Sequence, residues 1–311
     1  MRVSTQMYPQ SLLNQLNKLT GQQQTLQNQV STGLRVQEAS DDPAAARKMI
    51  QWQTDISGLN QFRKNIAAQQ DLAKMNHGLV QSLNNISSRV HELAIKSDDT
   101  QNPETLTFYA EEVNSLIERA SELVNTRFHG KYLLAGTTED APAFSFERDE
   151  DGRIIGAIYE GNGNIRSVES SPGNQVSAQW IGANDGTSEE PGLIQDTDLD
   201  FDVFRDLIAF RDHLLSGDTN LIREEDIDRL QQVEDHFLHF MHRSGAAQTR
   251  LEASLGSLND QELALTGMIS REGEVDLAET IVRLNEVQYA YQAALQSGAK
   301  IMNSSLMNYL R

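Results

Sequence analysis

His236, His239 and His242 are spaced by three, with Glu234 and Asp235 beside them. These are residue types that ligate transition metals, but two ligands on one helical face want a spacing of four. Steps of three fan the rings over about 120° at 100° per residue. Phe237 and Phe240 already claim the apolar face, so the histidines read as a solvated face, not a metal site. Asp196, Asp198, Asp200 and Asp202 suggest a calcium loop. That loop needs glycine at its sixth position and glutamate at its twelfth, where the chain has Phe201 and Leu207. Alternation with Leu199, Phe201 and Val203 suits an extended linker or edge strand instead. Asp149-Glu150-Asp151-Gly152 reads as a hairpin tip. Asn85 and Asn303 begin glycosylation sequons, but both lie in expected helices. No phosphate loop, dinucleotide fingerprint, nucleophile elbow or H-E-x-x-H element is found. The expectation is no catalytic residue, no metal, no cofactor and no enzyme.

Composition points the same way. The 311 residues carry 45 acidic and 26 basic side chains, a formal charge of −19, and no cysteine. Phosphate neutralisation needs a surplus of Lys and Arg, so neither nucleic acid nor an anionic membrane surface is an expected partner. Without cysteine there is no disulfide framework and no thiol chemistry. No run of about 18 apolar residues is present, so no membrane insertion is expected. The opening residues lack the apolar stretch of a Sec-type signal peptide. The charge is concentrated: residues 137–218 hold 18 acidic and 5 basic groups. Ten of the 20 glycines fall between Gly130 and Gly192.

The elements that hold these residues are mostly helices. Leu12, Leu16, Leu19, Leu26 and Val30, with Gln23 filling one step, alternate by four and three as in a coiled-coil seam, and Gly33 suits a C-cap. Asp42-Pro43 starts a second helix, whose apolar pattern runs to about Ile95, too long for a compact globule. Asn102-Pro103 opens a third, striped by Leu106, Tyr109, Val113, Leu116, Ile117, Ala120 and Leu123 and ending near Asn125. Short β-type runs follow at Phe144–Phe146, Ile154–Tyr159, Ile165–Val168 and Val176–Ile181. Asp151-Gly152, Asn162-Gly163 and Gly173-Asn174 separate them as turns, giving a small antiparallel β domain over 140–190. A helix over 202–216 comes next. Leu230, Val233, Phe237, Phe240, Ser244, Ala247, Leu251, Ser254, Leu258, Gln261 and Leu265 then keep heptad spacing until Ser270–Gly273 interrupts. Asp276 with Glu279 resembles a capping box for a last helix carrying Ile281, Leu284, Gln288, Tyr291, Leu295 and Met302. The fold class is therefore mainly α: a long antiparallel helical bundle or coiled coil from the two terminal regions, with an inserted small antiparallel β domain. The first and last helices are expected to pair with each other or with copies of themselves.

Three blocks carry a family resemblance. Val30-Ser31-Thr32-Gly33-Leu34-Arg35-Val36, followed by Ala39-Ser40-Asp41-Asp42-Pro43, resembles the N-terminal signature of the flagellin superfamily. Asn125-Thr126-Arg127-Phe128, Gly130-Lys131 and Gly136 resemble its element after the second long helix. Val275-Asp276-Leu277-Ala278-Glu279, Gln288-Tyr289-Ala290-Tyr291-Gln292 and Ser305–Leu310 resemble its C-terminal end. The opening Met1-Arg2-Val3-Ser4-Thr5 looks like the branch that joins hook to filament. A flagellin-type filament subunit is the alternative, and a cytosolic coiled-coil adaptor is a reading of a different class. The resemblance implies an inner coiled-coil assembly domain (1–40 plus 276–311), a helical rod (41–136 plus 219–275) and an outer acidic β-rich domain (137–218). It implies export by the flagellar type III route, with a chaperone beforehand. Assembly at the extracellular hook–filament junction follows, as a ring of about 11 copies between the first hook-associated protein and flagellin. The residues so implied are the assembly seam of Leu12, Leu16, Leu19, Leu26, Val30, Ile281, Leu284, Tyr291, Leu295 and Met302. The motif positions are Ser31, Thr32, Gly33, Arg35, Ser40, Asp41, Asp42, Pro43, Asn125, Gly130 and Gly136.

Overall fold

The computed structural model describes the backbone of residues 7–97, 101–138, 140–186 and 188–309, and the side chains among these from Gln10 to Lys300. Its elements are α1 (Met7–Thr32), α2 (Pro43–Lys96), α3 (Pro103–Val124), β1 (Arg127–Phe128), β2 (Lys131–Tyr132), β3 (Phe144–Arg148), β4 (Ile154–Tyr159), β5 (Val168–Ser171), β6 (Asn174–Val176), β7 (Ile181–Asn184), β8 (Gly192–Asp196), β9 (Phe201–Asp202), α4 (Val203–Ser216), α5 (Thr219–Leu221), a π-turn over Ile222–Asp226, α6 (Ile227–Gly273) and α7 (Leu277–Tyr309). Two compact units result: residues 1–58 with 260–311, and residues 59–259.

Helix starts follow local chemistry. Asp42 accepts from the amides of Ala44 and Ala45 (3.1 and 3.0 Å), Asn102 from Thr105 (2.7 Å) and Asp202 from Arg205 (3.1 Å). Each satisfies a backbone donor that a helix leaves open at its first turn. Asp276 caps α7 through Ala278 and Glu279 (2.9 and 3.2 Å). The reciprocal half of the expected capping box does not form, because the Glu279 carboxylate binds Arg283 one turn on (2.6 Å).

In the second unit the expected stripes are buried. Leu230, Val233, Phe237, Phe240, Ser244, Leu251 and Leu258 of α6 join one core with Leu83, Val90 and Leu93 of α2 and Val113 and Ile117 of α3, or extend its line along α6. Ser244 Oγ approaches the Ala73 carbonyl (3.4 Å) and Ser88 bonds Glu234 (2.6 Å), so α2 and α6 run antiparallel. The β3–β4 hairpin packs on α3 and α4.

Several β expectations are corrected. The insert is not wholly antiparallel: β7 and β8 pair parallel, Ile181 with Gly192 and Asn184 with Asp196, while β8 pairs antiparallel with β9. Parallel neighbours usually need a long crossover, but strands of four and five residues let 185–191 make the return. Residues 165–167 and 177–180 are not strands. Instead Ala178 is held by side chains of α2: its amide donates to Gln69 Oε1 (2.7 Å) and its carbonyl accepts from Asn76 Nδ2 (2.6 Å). Asn162-Gly163 closes no hairpin; it receives Gly136. The Asp149–Gly152 tip forms as expected, with Gly152 at φ +82° and Asp149 Oδ1 accepting from Arg153 N (2.8 Å).

Candidate assembly site

In the first unit α1 and α7 lie against each other. The α1 side of the contact is the heptad line: Leu12, Leu16, Leu19, Gln23, Leu26 and Val30 are half-buried while their neighbours are mostly exposed. On α7 the covered line is Thr280, Leu284, Val287, Gln288, Tyr291, Ala294 and Gly298. Ile281 and Leu295, expected on the assembly seam, are 45% and 46% exposed in the single chain. At 100° per residue Ile281 stands about 100° from the Thr280–Gly298 line, whereas Leu295 stands about 60° from it, within the arc that reaches Gln288. Met302 lies outside the residues whose side chains are described. Gly298 permits the close approach: a Cβ there would fall on the Leu12 side chain. Opposite the covered face, Val282 and Tyr289 are 56% and 72% exposed, so α7 is apolar on two sides.

A knot of motif residues fastens the far end of α1. Gly33, at φ +72°, ends the helix with its amide on the Gln29 carbonyl (2.8 Å), a left-handed conformation that costs glycine little. Residues 33–35 then pair with 273–275. Val275 N donates to Gly33 O (3.0 Å) and Arg35 N to Gly273 O (2.6 Å), around an antiparallel Leu34–Glu274 bridge. The Arg35 guanidinium places Nη2 and Nε on the Glu272 carbonyl (2.7 and 3.2 Å) and Nη1 on Asp42 Oδ2 (3.0 Å). Asp42 thus uses one carboxylate oxygen to cap α2 and the other to hold Arg35. The Ala45 amide, then Arg35, hold its carboxyl below the usual range. The amides of Glu38 and then Gln37 do the same for Asp41, which accepts both on Oδ2 (3.0 and 3.1 Å). Thr32 Oγ1 accepts from Gln37 Nε2 (2.8 Å), Ser40 Oγ donates to Glu38 (3.2 Å), Pro43 is the first residue of α2, and Ser31 is exposed. Beneath the knot Val36, Ala45 and Ala46 form a small core with Met49. Beside it a groove of about 410 Å³ is lined by Val36, Ala46, Met49 and Ile50 among others, with Ile50 largely exposed.

The remaining motif residues sit in the second unit. The Asn125 amide exchanges two bonds with the Phe144 backbone: Nδ2 donates to its carbonyl (2.8 Å) and Oδ1 accepts from its amide (3.0 Å). Gly130 makes the β1–β2 turn at φ +82°. Gly136, at φ +66°, lies so close to the Asn162 carbonyl that a Cβ would collide with it. Tyr159 donates to the Leu134 carbonyl (2.8 Å) at this crossing, and burial pushes its phenol up to about 12.

The possible chemical clusters disperse. His236 is not on the solvated face: its Nε2 reaches the Gly192 carbonyl (3.0 Å) and its ring stacks near Phe201 (4.0 Å). Burial lowers its pKa. His239 and His242 are exposed. Asp196 is buried and binds the Gly192 amide (3.1 Å), Asp198 binds Asn184 (3.3 Å), Asp200 pairs with Arg205 (3.0 Å) and Asp202 caps α4. What sequence reasoning missed is the 272–275 partner of the knot. The break at Ser270–Gly273 marked a bend, but nothing in a linear sequence pairs it with residues 240 positions earlier.

The arrangement joins helices and leaves apolar side chains of α7 exposed. Residues 3–139 match the model of the bacterial flagellin N-terminal helical region. Flagellin of Bacillus subtilis (strain 168) is 23% identical over 298 residues, 94% of each chain. A chain from Vibrio parahaemolyticus described as a candidate flagellar hook-associated protein superposes with a TM-score of 0.64 at 16% identity, covering 75% of this chain and all of that one. Flagellar hook associated protein-3 from Legionella pneumophila does so with a TM-score of 0.59 at 13% identity, covering 71% of this chain and 97% of that one. Residues 3–139 are therefore similar to the flagellin N-terminal helical region, and the chain shares its fold with the solved hook-associated proteins.

Proposed function

We propose that the chain is a structural subunit of the bacterial flagellum, and that it joins the hook to the flagellin filament. The observation that carries this reading is the flagellin N-terminal helical region at residues 3–139, set in a hook-associated fold. The opening Met1–Thr5 and the Ser40-Asp41-Asp42-Pro43 block support the junction branch. In this reading the seam residues of α1 and α7, with the outward Ile281, Val282, Tyr289 and Leu295, are covered by neighbouring copies. The assembly is a ring of about 11, between the first hook-associated protein and flagellin at the outer end of the hook. The subunit travels there by the flagellar type III route and is held by an export chaperone before secretion. Its role is mechanical, not catalytic. Deletion with complementation tests it: loss of filaments from intact hooks, restored by the gene, is expected. Hooks that retain filaments without it overturn the junction role.

A filament-subunit reading is favoured by one observation, the Bacillus subtilis flagellin match over 94% of both chains. Purified protein that polymerises alone into long filaments would support it over the junction.

A further inference from the structure

Helix α2 carries a polar line on the face that the rest of the second unit covers. Gln69 and Asn76 are buried and clamp both backbone groups of Ala178. Farther along, Asn76 Oδ1, His77 Nδ1, Asn84 Oδ1 and Ser87 Oγ are shut off from solvent and have no hydrogen-bond partner. At 100° per residue all five side chains fall within an arc of about 100°. Val80, Leu83 and Ile86, from the same stretch of α2, are buried apolar residues of the core. Buried polar atoms are nearly always bonded, and several orphans on one face need a physical account.

Asn84 and Ser87 are three residues apart, so their Cβ atoms are neighbours on the helix surface at roughly 5–6 Å. The two atoms do not bond each other directly, and the separation leaves room for one water between them. A polar site with two or more partners is where proteins keep internal water, whereas apolar cavities stay dry. We propose that the second unit holds an internal water site on α2, in which one water bridges Asn84 Oδ1 and Ser87 Oγ. The site makes this stretch of the core a wet seam. Parting the helices here exposes groups that are already hydrated, so the seam contributes less resistance to unfolding than an apolar one of the same length. The inference does not depend on the flagellar role.

Two measurements on the full chain test it. A high-resolution crystal structure should show an ordered water within hydrogen-bond distance of both atoms. Direct protein partners for Asn84 Oδ1 and Ser87 Oγ, with no water, overturn the proposal. Thermal unfolding supplies the second readout. Ser87→Ala removes one partner and leaves the water poorly held beside Asn84, so Tm should fall by about 2–4 °C. Adding Asn84→Leu removes the need for the water, and the double variant should regain or exceed the wild-type Tm. A double variant less stable than Ser87→Ala alone overturns the bridge.

Discussion

Arg35 and Glu272 stand 237 positions apart, and two donors of the first meet the backbone carbonyl of the second at 2.7 and 3.2 Å. The contact is to a carbonyl, so the identity of residue 272 matters less than its position. The geometry also needs a planar fork, which lysine lacks.

Arg35→Ala should loosen the pairing of 33–35 with 273–275. The side chain is 42% exposed, so solvent screening discounts the loss to about 1 kcal/mol. The Val275 amide, bonded to Gly33, should exchange several-fold faster with solvent deuterium, and Arg35→Lys should not restore it. Unchanged Val275 exchange in Arg35→Ala means that the backbone bridge stands without the guanidinium.

Gly136→Ala should be among the most damaging single changes. It forces a side chain into a left-handed conformation and onto a backbone oxygen that cannot swing aside. A cost of about 2–4 kcal/mol is expected, read as a drop in the thermal midpoint. Gly33→Ala, with open space around it, should pay only for conformation, about 1 kcal/mol.

Acid should weaken the second unit in two steps. Burial lowers the His236 pKa below 6.5, so the fold favours the neutral ring. That contribution is complete above pH 6.5 and is lost as pH falls through the folded value. The Ser88 hydroxyl, then His91, lower Glu234 below 4.5 against the opposing effect of burial; its contribution is complete above pH 4.5 and is lost below. Asp226 runs the other way. Burial raises its pKa above 3.8, so its contribution is present below pH 3.8 and lost as pH rises. Urea midpoints between about pH 7.5 and 4 should decline, and His236→Gln should flatten the upper part. An unchanged upper slope in that variant removes His236 as the cause.

The outward face of α7 should matter to assembly and not to the monomer. Tyr289→Asp and Val282→Asp are expected to leave the thermal midpoint within about 0.5 kcal/mol of wild type and to abolish incorporation at the hook tip. In hydrogen exchange on the free monomer, α1 and α7 should protect weakly, because each seam residue of α1 is only half-buried. Strong protection of both helices would mean that they are fixed before assembly.

Much of this was legible in the residues. The heptad line of α6 and the caps at Asp42, Asn102 and Asp276 are local signals with a period or a donor behind them, and they stand where the pattern put them. The β insert was read less well. At residues 177–180 no strand forms and Ala178 is bonded to α2 side chains, and Gly192 belongs to a parallel pair; neither partner is local. On α7, Ile281 and Leu295 are as apolar as the residues that α1 covers, and periodicity cannot say which of two apolar faces is taken first. The Arg35 knot could be recognised as a motif, but its chemistry could not, since it closes on a carbonyl that every residue possesses.

The Asn125 amide does the work of a strand, offering Phe144 a donor and an acceptor from the end of α3. In kinetic terms this makes the helix end a template. The loop it closes spans only 19 positions, and loop-closure entropy rises slowly with length, so β3 can be caught as soon as α3 has formed. The hairpin then zips onto a strand already held in place, and the insert need not wait for the distant half of the chain. Asn125→Ala should therefore slow folding of the second unit more than it speeds unfolding.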